Sequence, residues 1–380
     1  MPLQTLLGAS NAISRRTALR LSIASFLSGI SIKAAAKDMA GKKVIVVGAG
    51  IARLAAAKQL HMLGATVVVL EAGNYVGARI RTDWSLGAPF EFGAGWLHGP
   101  SRRNPIRKLA DSIDAPTVGT DDDNLEVFDM QGQPLTEDDF DRLDSMYERL
   151  ERTLNRVDEN NDTRSIHAVV SDEAPDIMQD PMGRWILSAF TEFDIGAGIE
   201  DISAAHALSD EAFIGKDVIF TKGYDTILAP LYEGLDIRLN APVSKISYHN
   251  EGVTVDGMAA DYVVCSVPFN PELPVNIKTT IDQIGFGSVT KIALEFDAPF
   301  WDISTQYFGI MTEPKGRWNY WLNYRTFSSE NILLGLSVGQ YAPIADKMTR
   351  YAMKVLQDNQ GRTNMATYMA HASPSRTRNL

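Results

Sequence analysis

The residues with the plainest chemical purpose are two glycines and a glutamate. Gly48 and Gly50 stand between the β-branched run Lys43 to Val47 and an alanine-rich stretch that begins at Ile51. A glycine at the first position permits a tight bend from strand to helix. One at the second lets the backbone approach a pyrophosphate, whose charge the helix N-terminus attracts. Glu71 closes the run Thr66 to Leu70, roughly 20 residues further on, where a carboxylate accepts hydrogen bonds from ribose hydroxyls and disfavours a 2′-phosphate. The spacing predicts that Gly48, Ala49, Gly50, Ile51 and Glu71 hold the ADP half of a dinucleotide.

The elements that must position these residues follow from periodicity. Lys43 to Val47 reads as a buried strand, Ile51 to Leu63 as a helix ended by Gly64, and Thr66 to Leu70 as a second strand, which together make a parallel crossover. Asp139 to Val157 places Phe140, Leu143, Met146, Tyr147, Leu150 and Leu154 at helical steps on one face. Strands return at Ile237 to Leu239, Val243 to Tyr248, Gly252 to Val255, Tyr262 to Ser266 and Val289 to Phe296. Two more are expected between Trp318 and Gln340, then a short helix over Tyr351 to Leu356.

Further motifs accompany the glycine turn: E-A-G-N-Y-V-G-A-R-I at Glu71 to Ile80, F-E-F-G-A-G-W-L-H-G at Phe90 to Gly99, K-G-Y-D at Lys222 to Asp225, P-V-S-K-I at Pro242 to Ile246 and G-F-G-S-V-T-K at Gly285 to Lys291. Together with Val44 to Ala52 they resemble the flavin-containing amine oxidase family, over Lys42 to about Ala345. The resemblance implies an α/β fold, an FAD-binding Rossmann-like (GR2-type) domain interleaved with an α+β substrate-binding domain. It also implies FAD as cofactor, and oxidation of the C–N bond of a small cationic amine or polyamine by dioxygen, with hydrogen peroxide released. By the same resemblance Glu71 and its neighbour Ala72 would lie at the adenosine ribose, Arg79 at the phosphates, Val243 at the adenine through its backbone, and Gly93 to Trp96, Gly95 included, beside the flavin ring.

Lys291 resembles the family lysine that holds a water near the flavin's reactive nitrogen, which makes it the candidate catalytic residue. Its strand position, on one face with Val289, Ala293 and Glu295, predicts a solvated side chain. His98 stands near the substrate mouth by resemblance, and a satisfied structural histidine is the competing reading. Trp318, Tyr320 and Trp321 read as core or cavity wall.

Several positions depart from the family pattern. Arg53 occupies the third glycine of the fingerprint, where a guanidinium is expected not to fit between helix and strand. Gly73 replaces an arginine and Ala78 a glycine, both on the phosphate side, and a connection is shortened at Ser266 to Pro271. The expected segments are 40–119 and 213–270 for the FAD domain, 120–212 for a mainly helical substrate segment and 271–345 for its sheet. The tail, 346–380, is expected to be truncated and atypical, with coil over Asn359 to Leu380. A non-catalytic remnant without flavin and a different flavin or NAD oxidoreductase are the alternatives.

Composition bounds the rest. The chain has 380 residues, 45% hydrophobic and 22% charged, enough for two globular domains. Its net charge of −11 disfavours nucleic acid as a partner. The single Cys265, in an apolar run, is expected to be buried, and the 6 scattered histidines assemble no metal site. Residues 1–36 have the layout of a twin-arginine export signal: Ser14-Arg15-Arg16, an apolar stretch from Leu21 to Ile32, then Ala34 to Ala36. The expectation is a cleaved signal, a periplasmic protein and no stable membrane anchor.

Overall fold

The computed structural model describes residues 39–157, 162–208, 213–249, 252–265, 275–285, 287–348 and 367–371. The proposed signal, the Ser266 to Pro271 connection and the Tyr351 to Leu356 helix lie outside them. The chain divides into two compact units, each assembled from two stretches: one through Ala78 with Ile227–Pro274, the other Arg79–Thr226 with Val275 onward.

The first unit is built on a parallel sheet in the order Tyr262–Val264, Lys43–Val47, Thr66–Leu70, Asp236–Arg238. Val44, Ile45, Val46 and Val47 are all buried, as expected of a strand covered on both faces. Helix Ile51–Met62 buries Leu54 and Ala57 as it crosses between the two central strands. An antiparallel sheet of Ile246–His249, Gly252–Val255 and Met258–Ala260 follows, packing Ile246, Val253 and Val255 with Ile45, Val47 and Leu70. Val243 lies in the loop before that sheet, where a strand from Val243 was expected; the amides of Ser244 and Lys245 donate to the carboxylate of Asp256 instead of to a neighbouring strand. Cys265 is half-buried against the same core rather than fully enclosed.

The second unit centres on a six-stranded sheet ordered Thr367–His371, Val289–Glu295, Ile332–Val338, Tyr320–Asn323, Tyr307–Ile310, Leu125–Phe128. The first strand of that order corrects the expectation of coil after Asn359: Thr367 to His371 pairs antiparallel with Thr290 to Leu294, and its Thr-Tyr-Met composition suits a strand. Helix Glu137–Leu154 carries the predicted face and is fixed at its start by a capping box between Thr136 and Asp139. A second helical run, Pro181–Leu187, passes into a π turn, Ser188–Glu192, before Phe193–Ile195.

Strand glycines make room for indoles in this unit. A Cβ on Gly309 would stand 2.3 Å from Trp185 Cζ2, and the Trp185 Nε1 donates to the Asn319 carbonyl at 3.0 Å. Gly309→Ala is expected to push Trp185 off this bond and destabilise the protein by about 2–3 kcal/mol, read as a lowered midpoint in urea unfolding.

Candidate active site

The glycine turn forms as predicted. Gly48 has φ +98°, and Gly50 caps the helix with no side chain, while no acidic residue occupies the first helical turn. The helix N-terminus is therefore electrostatically suited to an anion. Glu71 closes its strand with both oxygens engaged: Oε2 accepts from the Ala49 amide at 2.6 Å and Oε1 from the Gly73 amide at 2.8 Å. Gly77 docks on the turn by donating to the Ala49 carbonyl at 2.8 Å. This turn, a helix start free of acidic side chains and a carboxylate anchored beside it suit the phosphate and ribose of a dinucleotide.

Arg53 corrects the expectation of a misfit. The helix runs unbroken from Ile51, and the guanidinium folds back along the turn; a Cβ on Gly48 would meet Arg53 Nη1 at 2.5 Å. The bare Cα of Gly48 supplies the room. Ala78 keeps the backbone of the glycine it replaces, with φ +55°, and for an alanine that conformation costs about 1–2 kcal/mol. Ala72 is exposed beside this turn, and Val243 packs half-buried on the core of the same unit.

In the second unit the structure gathers Gly95, Trp96 and Lys291, and it overturns the prediction of a solvated lysine. Lys291 is 7% exposed. Its ammonium donates to the main-chain carbonyls of Glu91 and Gly93 and lies 5.7 Å from the centre of the Trp96 ring. A Cβ on Gly95 would come within 3.5 Å of that ammonium. Strand alternation alone hid this burial, because the face that Lys291 shares with Ala293 is covered by a chain segment nearly two hundred residues away in sequence. Arg79 is exposed, while its carbonyl accepts from the Ala94 amide at 3.0 Å and would lie 1.8 Å from a Cβ on Gly93.

Four aromatic residues close a ring beside the lysine. Trp96 meets Phe193 edge-on at 6.4 Å, Phe193 meets Tyr320 at 5.5 Å, Tyr320 meets Tyr307 at 5.3 Å, and Trp96 Nε1 donates to the Tyr307 hydroxyl at 3.3 Å. Burial pushes Tyr307 up to about 12, so its hydroxyl remains a neutral partner. The π turn precedes Phe193, and Glu192 within it is buried, paired with Lys315 and accepting from the Ile199 amide at 3.0 Å. His98 is exposed, with Nδ1 on the Asp217 carboxylate, whose other oxygen accepts from the Gly99 amide at 2.9 Å. Asp122 is raised by partial desolvation and then by the neighbouring carboxylates of Asp217, Asp121 and Asp123.

Sequence reasoning missed Glu91, Thr82, Tyr224, Phe193 and Tyr307. Glu91 shares the single Thr82 hydroxyl proton between its two oxygens, at 3.0 and 2.8 Å from Oγ1, and takes another bond from the Tyr224 amide at 2.8 Å. Its signal was a charge between two phenylalanines in F-E-F, and Tyr224 lies inside the K-G-Y-D motif. No local pattern marks the other three.

The profile of the family described as "Flavin containing amine oxidoreductase" matches residues 51–354. The chain belongs to this family. The flavin amine oxidoreductase is 28% identical over 338 residues to Polyamine oxidase 2 of Arabidopsis thaliana, covering 80% of this chain and 69% of that protein. It is 32% identical over 342 residues to Probable polyamine oxidase 4 of the same plant, covering 80% and 68%. A solved structure of a putrescine oxidase triple mutant superposes with a TM-score of 0.63 at 21% identity, over 82% of this chain and 77% of that one, which fixes the fold. The cofactor of the family is FAD, and the glycine turn with Glu71 has a geometry that could receive the ADP half of such a dinucleotide.

Two expectations follow. Ala78→Gly relieves the left-handed alanine and raises unfolding stability by about 1 kcal/mol in urea titration. Burial raises Glu91 from 4.5 to about 7, and burial lowers Lys291 from 10.5 to about 8. The folded chain keeps an extra proton at Glu91 between the first pair of values, so stability falls as pH rises through that interval; it gives up the Lys291 proton early, so stability climbs between the second pair. The two together make stability lowest near pH 7 to 8, by on the order of 3 kcal/mol for each group. Urea unfolding across pH 4 to 11 should trace that minimum, and Glu91→Gln should abolish its acid side.

Proposed function

We propose that this oxidoreductase oxidises a di- or polyamine at a carbon next to nitrogen, with Lys291 as its catalytic lysine. The observation that carries the reading is the buried Lys291 ammonium beside a closed ring of four aromatic residues. Bound FAD supplies the oxidising power, accepting hydride equivalents that dioxygen finally receives as hydrogen peroxide.

The chain's own residues do the rest. The half-buried rings of Trp96 and Phe193, packed against buried Tyr307 and Tyr320, would attract an alkylammonium by cation–π contact and exclude water around it. Taking the amine out of water opposes that attraction and favours the neutral amine, the form that can be oxidised. Lys291 holds a proton at Nζ next to Trp96, and its two carbonyl partners fix where the ammonium stands. Asp217 and Asp122, near His98, place negative charge in the same unit, which suits a substrate with a second ammonium. The names of the relatives, polyamine oxidases and a putrescine oxidase, support this substrate class.

The reading extends to location. Ser14-Arg15-Arg16 and the apolar stretch after them support export through the twin-arginine route, tested by fractionation and N-terminal sequencing of the mature chain. No helix among the described residues is long and apolar enough to cross a membrane.

The purified protein should be yellow, with flavin absorbance, and release hydrogen peroxide on addition of putrescine or spermidine. Lys291→Met should keep the flavin spectrum and lower kcat by about 100- to 10,000-fold. Colourless protein that FAD cannot reconstitute, or flavin-loaded protein inert to both amines, would refute the reading.

A further inference from the structure

Glu91 is a half-buried carboxyl, desolvated where it lies, to which the proposed reaction assigns no task. It borders a cavity of about 20 Å³ that Lys291 also lines, walled on its other sides by Ile219, Leu322, Phe327 and Leu334. Tyr324 reaches the cavity too, but its hydroxyl is committed to the Pro89 carbonyl at 3.1 Å. A space of this size admits one water molecule, provided that polar groups receive it.

Both charged groups have capacity left. An ammonium has three N–H donors, and Lys291 directs two of them to the carbonyls of Glu91 and Gly93. A carboxylate accepts about four bonds, and Glu91 is bonded only by Thr82 Oγ1 and the Tyr224 amide among the described residues. Among those residues no ion pair joins Glu91 to Lys291 directly, although each charge stabilises the other. A water in the shared cavity would satisfy one donor and one acceptor at once.

We propose that Glu91 is a positioning residue for Lys291, linked to it by one water molecule in this cavity, so that the two side chains hold their protons as a single buried unit. Its bearing on amine oxidation rests on the reading of Lys291 given above. The charged and titratable groups facing Glu91 are Lys291 on strand Val289–Glu295, Tyr224 and Asp225 after strand Val218–Phe220, and Tyr324 after strand Tyr320–Asn323. Ionised Glu91 favours the charged lysine and Asp225 opposes ionisation of Glu91. Loss of the Glu91 charge leaves burial alone acting on Lys291, which then gives up its proton at lower pH. A carboxylate that only tied down the backbone would not move that titration.

Three measurements test this. A high-resolution crystal structure of the flavin-loaded protein should show a water within about 3.2 Å of both Lys291 Nζ and a Glu91 carboxylate oxygen. In the pH profile of kcat, Glu91→Gln should move the alkaline limb about one unit toward acid, whereas an unmoved limb overturns the proposal. A double-mutant cycle of Glu91→Gln and Lys291→Met in urea unfolding should be non-additive at pH 7.5 and additive at pH 5, where Glu91 is already neutral. That cycle needs neither flavin nor turnover, so an inert enzyme would count against the amine reading alone, while additivity at both pH values, or a dry cavity, would count against the linked pair. Should Glu91→Gln fail to fold, Thr82→Val removes a bond that favours the ionised carboxyl and should move the acid limb of kcat, or the acid edge of the stability profile, toward higher pH; no movement overturns the proposal.

Discussion

An ammonium taken out of water must find oxygen partners where it lies, or the protein loses several kcal/mol. Lys291 meets that demand with two main-chain carbonyls rather than a carboxylate, and those carbonyls are themselves fixed. Gly93 lies so close to the Arg79 carbonyl that no side chain is tolerated there, and Glu91 is clamped by Thr82 and by the amide of Tyr224. Strand Val289–Glu295, the Thr82–Asp83 and Phe90–Glu91 pair and the turn at Tyr224 therefore converge on one buried charge. Each could drift alone; together they hold the lysine against the Trp96 ring.

The aromatic ring depends on a different constraint. A π turn adds a residue to the helical ladder and changes which side chains follow onto a given face. Here Phe190 packs on Trp185 and Tyr147, while Phe193, past the turn, reaches Trp96 and Tyr320. The Glu192–Lys315 pair sits where the turn would otherwise relax, with Gly339 close against the carboxylate. Backbone irregularity and buried charge thus occur together at the wall of the candidate site.

Much of this was legible along the chain. The strand, turn, helix and strand from Lys43 to Leu70 could be read because the two strands pair with each other across one short crossover and each residue type has one dominant conformational reason to be there. Alternation also located Gly252–Val255 and Val289–Glu295. What it could not show was depth. Lys291 looks like any exposed strand lysine until Glu91 and Gly93 arrive from elsewhere, and Phe193 gains its direction from a helical irregularity with no sequence mark. Thr367–His371 was hidden for the same reason: five residues become a strand because Val289–Glu295 offers an edge.

The pairing of Gly48 with Arg53 has a consequence for how this turn could have changed over time. The guanidinium rests in space that only a hydrogen on Gly48 leaves open, while the backbone there already demands glycine by its positive φ. Glycine at the first position is thus a precondition for arginine at the other, and the arginine in turn adds a steric penalty to any later loss of that glycine. A drifting lineage that acquired Arg53 would find its exits narrowed, since the substitution which looks like decay in the fingerprint also locks the fingerprint's first residue in place.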